Sequence, residues 1–357
     1  LSSPKMVYCY DLGSDQSGNL YLSGAFQDSL LVEDQWYISQ DGIDSYLISF
    51  DPSGTLRWFQ QAGGKGIDGT FALAFSQDYL FTLNLFEECP ADSLFVTDQR
   101  RRANELEIRK HALDGTLEAT FGFDGVGRVF PRLITTDPEG HLYLGGKYQG
   151  DLSYRGKQFD PEQSLFLLCL QPDGNLKWQR NFAYHSLRAG LNDMIYHPSG
   201  QLFLTGSFED LGTFAAEPIA SLGETDIFLS CLDAETGQLK WLERSGGRNY
   251  DKGMSLSKSD SAIYLTGWFE SVGLFGTDSL VRSSGGNNLF ISKYDLQGHF
   301  QWVEVPVARG RSYGSSLYRD DENYLYFGGW FEGLINFPSD LLLNDKKPDL
   351  FIGRFKD

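Results

Sequence analysis

The sequence predicts an all-β chain built from one recurring unit, on three observations. A short strand motif, Ile263-Tyr264-Leu265-Thr266-Gly267-Trp268-Phe269, is written again at Leu20 to Phe26, Leu142 to Tyr148, Leu202 to Phe208 and Leu325 to Phe331, with a worn copy at Leu80 to Phe86. Most copies are followed by a hairpin pattern that ends in tryptophan. Forty glycines and a scarcity of helical periodicity imply many tight turns. Self-similarity at a fixed period dictates architecture before any local assignment is made.

The glycine of the motif sets the period. Gly24, Asn84, Gly146, Gly206, Gly267 and Gly329 stand 60 to 62 residues apart. Upstream of the motif lies a short turn, such as Asp15-Gln16-Ser17-Gly18 or Asp137-Pro138-Glu139-Gly140. Asp supplies an Asx-type bond there, Pro a fixed φ and Gly a positive φ. Downstream, Tyr46 to Phe50, Asp51-Pro52-Ser53-Gly54 and Thr55 to Trp58 read as strand, turn and strand. Each unit is therefore four strands, a to d. Six such units predict a six-bladed β-propeller of four-stranded antiparallel blades, spanning residues 1–357 as a single domain. The blades fall near 7–62, 70–122, 130–182, 190–245, 253–306 and 314–357. The repeated tryptophan (Trp58, Trp178, Trp241, Trp302) is expected to pack between blades, and blade two has Ala119 in its place. Blade six shows no d strand after Lys356, so the N-terminal segment near Lys5 to Tyr10 is expected to close the ring against residues 349–356.

The composition bounds the function. Hydrophobic residues make up 41% of 357, enough for a core, and the net charge of −18 argues against nucleic acid or an anionic membrane as partner. No run of 18 apolar residues is present, so no membrane-spanning helix is expected. Cys9, Cys89, Cys169 and Cys231 form no metal-ligand spacing. There is no HExxH and no EF-hand loop, and neither a metal site nor a catalytic constellation is expected.

The pattern from Ser199 to Phe208, followed by Asp226 to Gly247, resembles the SBBP-type β-propeller repeat. That repeat is frequent in secreted and cell-surface bacterial proteins. The resemblance implies the propeller fold and an extracellular or envelope-facing location, and it implies no single activity. Asp233 to Trp241 is also similar to the tryptophan-docking motif of quinoprotein propellers. It occurs cleanly once, so no quinone or other cofactor is expected.

Alternating strand direction puts the b–c and d–a connections on one face. The b–c segments are long (27–43, 87–105, 149–163, 209–225, 270–287 and 332–348), and long loops on a rigid scaffold are where binding usually resides. The d–a connections contribute Asp68, Arg128, Arg188, Tyr250, Asp251, Arg311 and Tyr313 as candidate ligand-binding residues. Trp268 and Trp330 join them, since both directly follow the motif glycine. The expected function is a non-catalytic scaffold that binds a protein partner in the cell envelope, such as an outer membrane complex. Two alternatives are a lectin-like module that binds a glycan or peptide, and a polysaccharide hydrolase or lyase acting at the channel mouth.

Overall fold

A computed structural model describes residues 2–64, 66–88, 106–125, 127–160, 165–182, 189–214, 217–337, 341–345 and 347–357. Among these residues there is no helix. The chain forms two compact units, Leu1–Gln179 and Arg180–Asp357.

The first unit starts with β1 (Val7–Ser14), β2 (Leu20–Val32), β3 (Gln35–Phe50) and β4 (Leu56–Ala62), paired antiparallel in that order. Next come β5 (Gly66–Phe75), β6 (Tyr79–Glu88), β7 (Leu106–Ala112) and β8 (Leu117–Gly122), with the same connectivity. One parallel bridge, Ile43 to Ile67, joins these two sheets. The third sheet holds β9 (Arg128–Thr136), β10 (Leu142–Gln149), β13 (Leu165–Leu170) and β14 (Leu176–Phe182). A small hairpin, β11 (Ser153–Tyr154) and β12 (Lys157–Gln158), is inserted in it.

The second unit repeats the plan. Its fourth sheet is β15 (Gly190–His197), β16 (Gln201–Phe214), β17 (Glu217–Asp233) and β18 (Leu239–Ser245). Its fifth is β19 (Lys252–Lys258), β20 (Ala262–Phe275), β21 (Ser279–Asp295) and β22 (Phe300–Glu304). The sixth has β23 (Val307–Arg319), β24 (Tyr324–Asn336), β25 (Leu341–Leu343) and β26 (Asp349–Lys356), with both β25 and β26 paired to β24. These are the antiparallel blades of a β-propeller, as the repeat predicts.

The motif glycine has a physical cause. Each a strand carries a bulge opposite it, for example between Gly253 and Ser255. The bulge drives a carbonyl against the b strand: a methyl group on Gly267 would lie 1.9 Å from the Lys252 oxygen, and one on Gly329 1.9 Å from the Tyr313 oxygen. The cross-strand partner on the other side is aromatic in five sheets: Tyr46, Phe166, Phe228, Phe290 and Phe351. Glycine leaves room for both neighbours; the second sheet keeps the bulge but has Glu107 in place of the aromatic ring, and carries Asn84 there.

The tryptophans pack between sheets. Trp58 donates to the Leu113 carbonyl of the next sheet (3.3 Å), and Trp241 donates to that of Leu296 (3.0 Å). Trp302 packs edge-on against Phe355. The Trp58 and Trp241 indoles thus satisfy their one donor while their rings fill the gap between sheets.

One arrangement differs from the sequence reading. The b–c segments are largely not loops. In the first, fourth and fifth sheets the b and c strands run on past the blade as a twisted hairpin, with a register shift near Gln27, Glu209 and Glu270. Residues 89–105 lie outside the described residues. The N-terminal segment hydrogen-bonds along β2: Ser2 pairs with Leu31, Met6 accepts from Gln27, and Val7–Ser14 pairs with Leu20 to Phe26. In the sixth sheet, β26 pairs with β24, and its Leu350 and Ile352 side chains are 87% and 86% exposed.

Candidate functional site

The second unit gathers four of the residues singled out from the sequence. Trp268 and Trp330 follow the motif glycines of β20 and β24, so both stand at the same place in consecutive sheets. Tyr313 of β23 is the direct cross-strand partner of Trp330. Its ring stacks on that indole, with centroids 4.0 Å apart and planes 18° apart. On the other side Tyr313 meets Trp268 edge-on at 5.3 Å. The three rings form a continuous, half-buried platform.

Charge flanks the platform. Arg311 is exposed and pairs in register with Glu332. Burial raises the Tyr313 phenol above its ordinary value; the Arg311 guanidinium opposes this, and Glu332 and Glu270 reinforce it. The phenol therefore stays protonated at neutral pH and is both donor and acceptor. A planar guanidinium beside stacked aromatic rings suits recognition of a planar, carboxylate-bearing or CH-rich ligand.

The other predicted residues are placed differently. Asp251 is fully buried and accepts hydrogen bonds from the backbone N–H groups of Gly247 (2.5 Å) and Glu270 (2.9 Å). Burial, chiefly, raises its carboxyl to about 8, and the neighbouring charges of Asp226 and Glu270 add to this. Asp226, also fully buried, is raised to about 6 by burial, and its Oδ1 has no hydrogen-bond partner. Gly246 separates the two carboxylates: a methyl there would lie 2.7 Å from Asp251 Oδ2 and 2.9 Å from Asp226 Oδ1. Asp68 is the matching residue of the first unit. It is buried, accepts from the Gly64 N–H at 2.7 Å, and faces Asp44 across Gly63. Asp68 and Asp251 thus hold the chain reversals between sheets. Tyr250 is half-buried in the same connection as Asp251. Arg128 begins β9, paired with Gln149, and Arg188 lies outside the described residues.

One group of side chains has metal-ligand proximity among the described residues. Ligand atoms of Asp137, Glu139 and His141 lie within 4.8 Å of one another. Asp137 Oδ2 already pairs with His141 Nδ1 (2.8 Å) and accepts from Tyr143 (3.0 Å), while Oδ1 accepts from the His141 N–H. The same turn recurs at Asp295 and His299, with a 2.9 Å carboxylate–imidazole contact. Both aspartates serve the turn. Among the described residues Cys9, Cys169 and Cys231 form no disulfide, and the last two are buried.

The sequence reading missed one place. Asn84 marks it, as the one substitution of the motif glycine. Its surroundings in the first unit hold a cavity of about 310 Å³ between the first two sheets. The lining residues Thr82, Arg109 and His111 lie beside it on β6 and β7, where the other sheets carry mostly apolar residues. A comparison of these strands across all six repeats would have found them.

No family model matches the chain, and no curated protein does. Solved structures to which it is similar include BamB from Moraxella catarrhalis, at 12% identity and a TM-score of 0.39, over 88% of this chain and 78% of that one. A gluconolactonase from Xanthomonas campestris is 12% identical with a TM-score of 0.40, over 92% of this chain and 96% of that one. Quinohemoprotein alcohol dehydrogenase from Comamonas testosteroni is 9% identical with a TM-score of 0.45, over 90% of this chain and 55% of that one.

Proposed function

We propose that the chain is a binding module of the SBBP-repeat propeller kind, secreted or facing outward from a cell envelope, which holds a protein or peptide partner without catalysing a reaction. The observation that carries this is the platform of Trp268, Tyr313 and Trp330 with Arg311 at its edge. Aromatic rings and arginine are the residues that anchor protein interfaces, because they bury much area for few frozen rotors. The blade scaffold holds the rings in place before binding, which lowers the entropic cost of association.

The test is capture of partners from an envelope fraction with the intact chain, set beside Trp268→Ala and Trp330→Ala. A partner retained by the wild type and lost at least tenfold by either variant supports the reading. Equal capture by all three proteins refutes it. A second reading, glycan binding, is favoured by the recurrence of tryptophan at one position in two consecutive sheets, since flat indoles stack on sugar rings. A glycan array run with the same variants separates the two.

A further inference from the structure

The cavity between the first and second sheets is where the repeat is broken, and most of the break falls on one face. Directly paired residues share a face of a sheet. On the b strand, position 82 is Thr, where the other sheets have Leu22, Leu144, Leu204, Leu265 and Phe327. Position 84 is Asn, where the others have glycine. Across from it stands Glu107, in the place of five aromatic residues. Arg109 and His111 continue the same face, opposite Thr82 and Leu80. The opposite face of this sheet keeps its core: Phe81, Leu83, Leu106 and Ile108 are buried in a cluster with the third sheet. Ala119, in place of the repeated tryptophan, is the departure on that packed face, and it stays apolar. The facing side keeps a small apolar patch, Leu73 and Leu80 against Tyr21 and Leu47, and is polar and hollow beside it.

The floor of the cavity is buried. Ser45, Thr70, Thr82, Asn84 and His111 line it, and each is at least nine-tenths buried. Asn84 accepts from Thr70 (2.7 Å) and donates to Thr82 Oγ1 (2.7 Å). His111 is held loosely, with Thr82 Oγ1 and the Gly115 carbonyl each 3.4 Å from a ring nitrogen. Burial lowers the His111 pKa, so the ring is neutral, with one donor and one acceptor nitrogen. The half-buried side chains Gln60, Gln61 and Arg109 form the rim, with exposed Leu117. No lining residue is acidic, and the one cation, Arg109, is paired with Glu107 at 3.1 Å. The cavity is thus nearly neutral in a chain of net charge −18.

We propose that this cavity binds one neutral sugar ring, free or at the end of a glycan. Hydroxyl, amide and neutral imidazole groups both donate and accept, as each sugar hydroxyl does, and a charged ligand would meet no uncompensated partner. Leu47, Ala62 and Leu117 offer apolar surface to the C–H face of a pyranose. The volume lies at the lower end of ligand sites, roughly 300–1,000 Å³. This site is separate from the platform of Trp268, Tyr313 and Trp330, and its test does not depend on that reading.

The experiment titrates the intact chain with D-glucose, D-galactose, D-mannose and N-acetyl-D-glucosamine, each to 10 mM, by saturation-transfer NMR and thermal unfolding. Methyl glycosides and a disaccharide of any sugar that binds distinguish a free ring from a chain end. Thr82→Leu restores the residue of the other sheets and fills the cavity; Gln60→Ala trims the rim. The expected result is that at least one sugar binds, that both variants weaken it at least tenfold while keeping one cooperative unfolding transition, and that Trp268→Ala leaves it unchanged. Binding by none of the four sugars, or binding that survives both variants, would overturn the proposal and leave the cavity as a pocket of water.

Discussion

The packing of the second sheet on the first and that of the fifth on the fourth use the same strand positions for opposite ends. In the second unit, Leu265 and Phe290 lie in one buried cluster with Ile227 and Leu229 of the neighbouring sheet. In the first unit, the matching positions are Thr82 and Glu107, and a cavity lined by hydroxyl, amide and imidazole groups lies beside a smaller cluster of Tyr21, Leu47, Leu73 and Leu80. The backbone pairing is nearly the same in both, down to the bulge opposite the motif position, between Thr70 and Ala72 or between Gly253 and Ser255. The blade backbone therefore does not need a continuous apolar face on both sides. One packed face, a small cluster on the other and a good strand ladder hold the second sheet, and the rest of that second face is polar.

The largest test of this contrast imports the polar pair into the packed interface. Phe290→Glu would bury an unpaired carboxylate among Phe269, Phe275 and Ile227, at a cost of about 4 kcal/mol or more. Urea unfolding should show the second unit lost or greatly weakened. A loss below about 1 kcal/mol would mean that this interface tolerates polarity as the first one does.

A pH effect distinguishes the two units next. Asp251 has a folded-state carboxyl near 8, against an ordinary value near 4 when unfolded. Between those values the folded chain keeps a proton that the unfolded chain releases. Stability from this group is fully present below about pH 4 and falls as pH rises towards 8, by a few kcal/mol at most. Asp226 and Glu270 push this carboxyl up, the Gly247 and Glu270 N–H groups pull it down, and Arg244 lies 3.8 Å from Asp226. Asp226→Asn removes a like charge and should move the fall to lower pH. Chemical unfolding from pH 4 to 9 reads the slope, and an unchanged profile in the variant would show that the two carboxylates do not sense each other.

Gly267→Ala should cost about 1–3 kcal/mol, because the methyl meets the Lys252 carbonyl and the bulge must move. The reverse change in the second sheet, Asn84→Gly, removes the three hydrogen bonds of the Asn84 side chain but creates no clash, and should cost less. If the order is reversed, the bulge does not set the motif. The smallest effect is Thr82→Leu, where added apolar burial is offset by the lost hydrogen bond from Asn84 to Thr82 Oγ1, so stability should change by less than about 1 kcal/mol. A larger drop would mean that the cavity walls cannot accept the larger side chain.

Much of the fold was legible in the sequence because its causes are local. The glycine period, the Asp-turn-Gly hairpins and the tryptophan positions each rest on a backbone or side-chain constraint within a few residues. The tryptophan reading needed one step more, and Trp58, Trp241 and Trp302 pack against the following sheet. The b–c segments read as loops because Gly42, Gly212 and Gly273 interrupt their alternation; paired across a hairpin, they are strands. Of the candidate residues, Trp268, Tyr313, Trp330 and Arg311 share one surface. Asp68 and Asp251 read as ligand groups because charge in a glycine-rich turn is usually solvated, whereas here the neighbouring backbone N–H groups enclose them.

By itself the sequence determined the all-β class, the period near sixty residues, the four-strand unit and the place where one copy departs from the rest. Those follow from side-chain alternation, turn chemistry and the glycine demanded by a bulge, all written within single units. Only the tertiary structure decided that Asp226 and Asp251 are buried together, that three rings from two sheets make one platform, and that the worn copy opens a cavity. Each of these joins residues from different repeats, and no local rule says which faces of two sheets will meet or how much space remains between them.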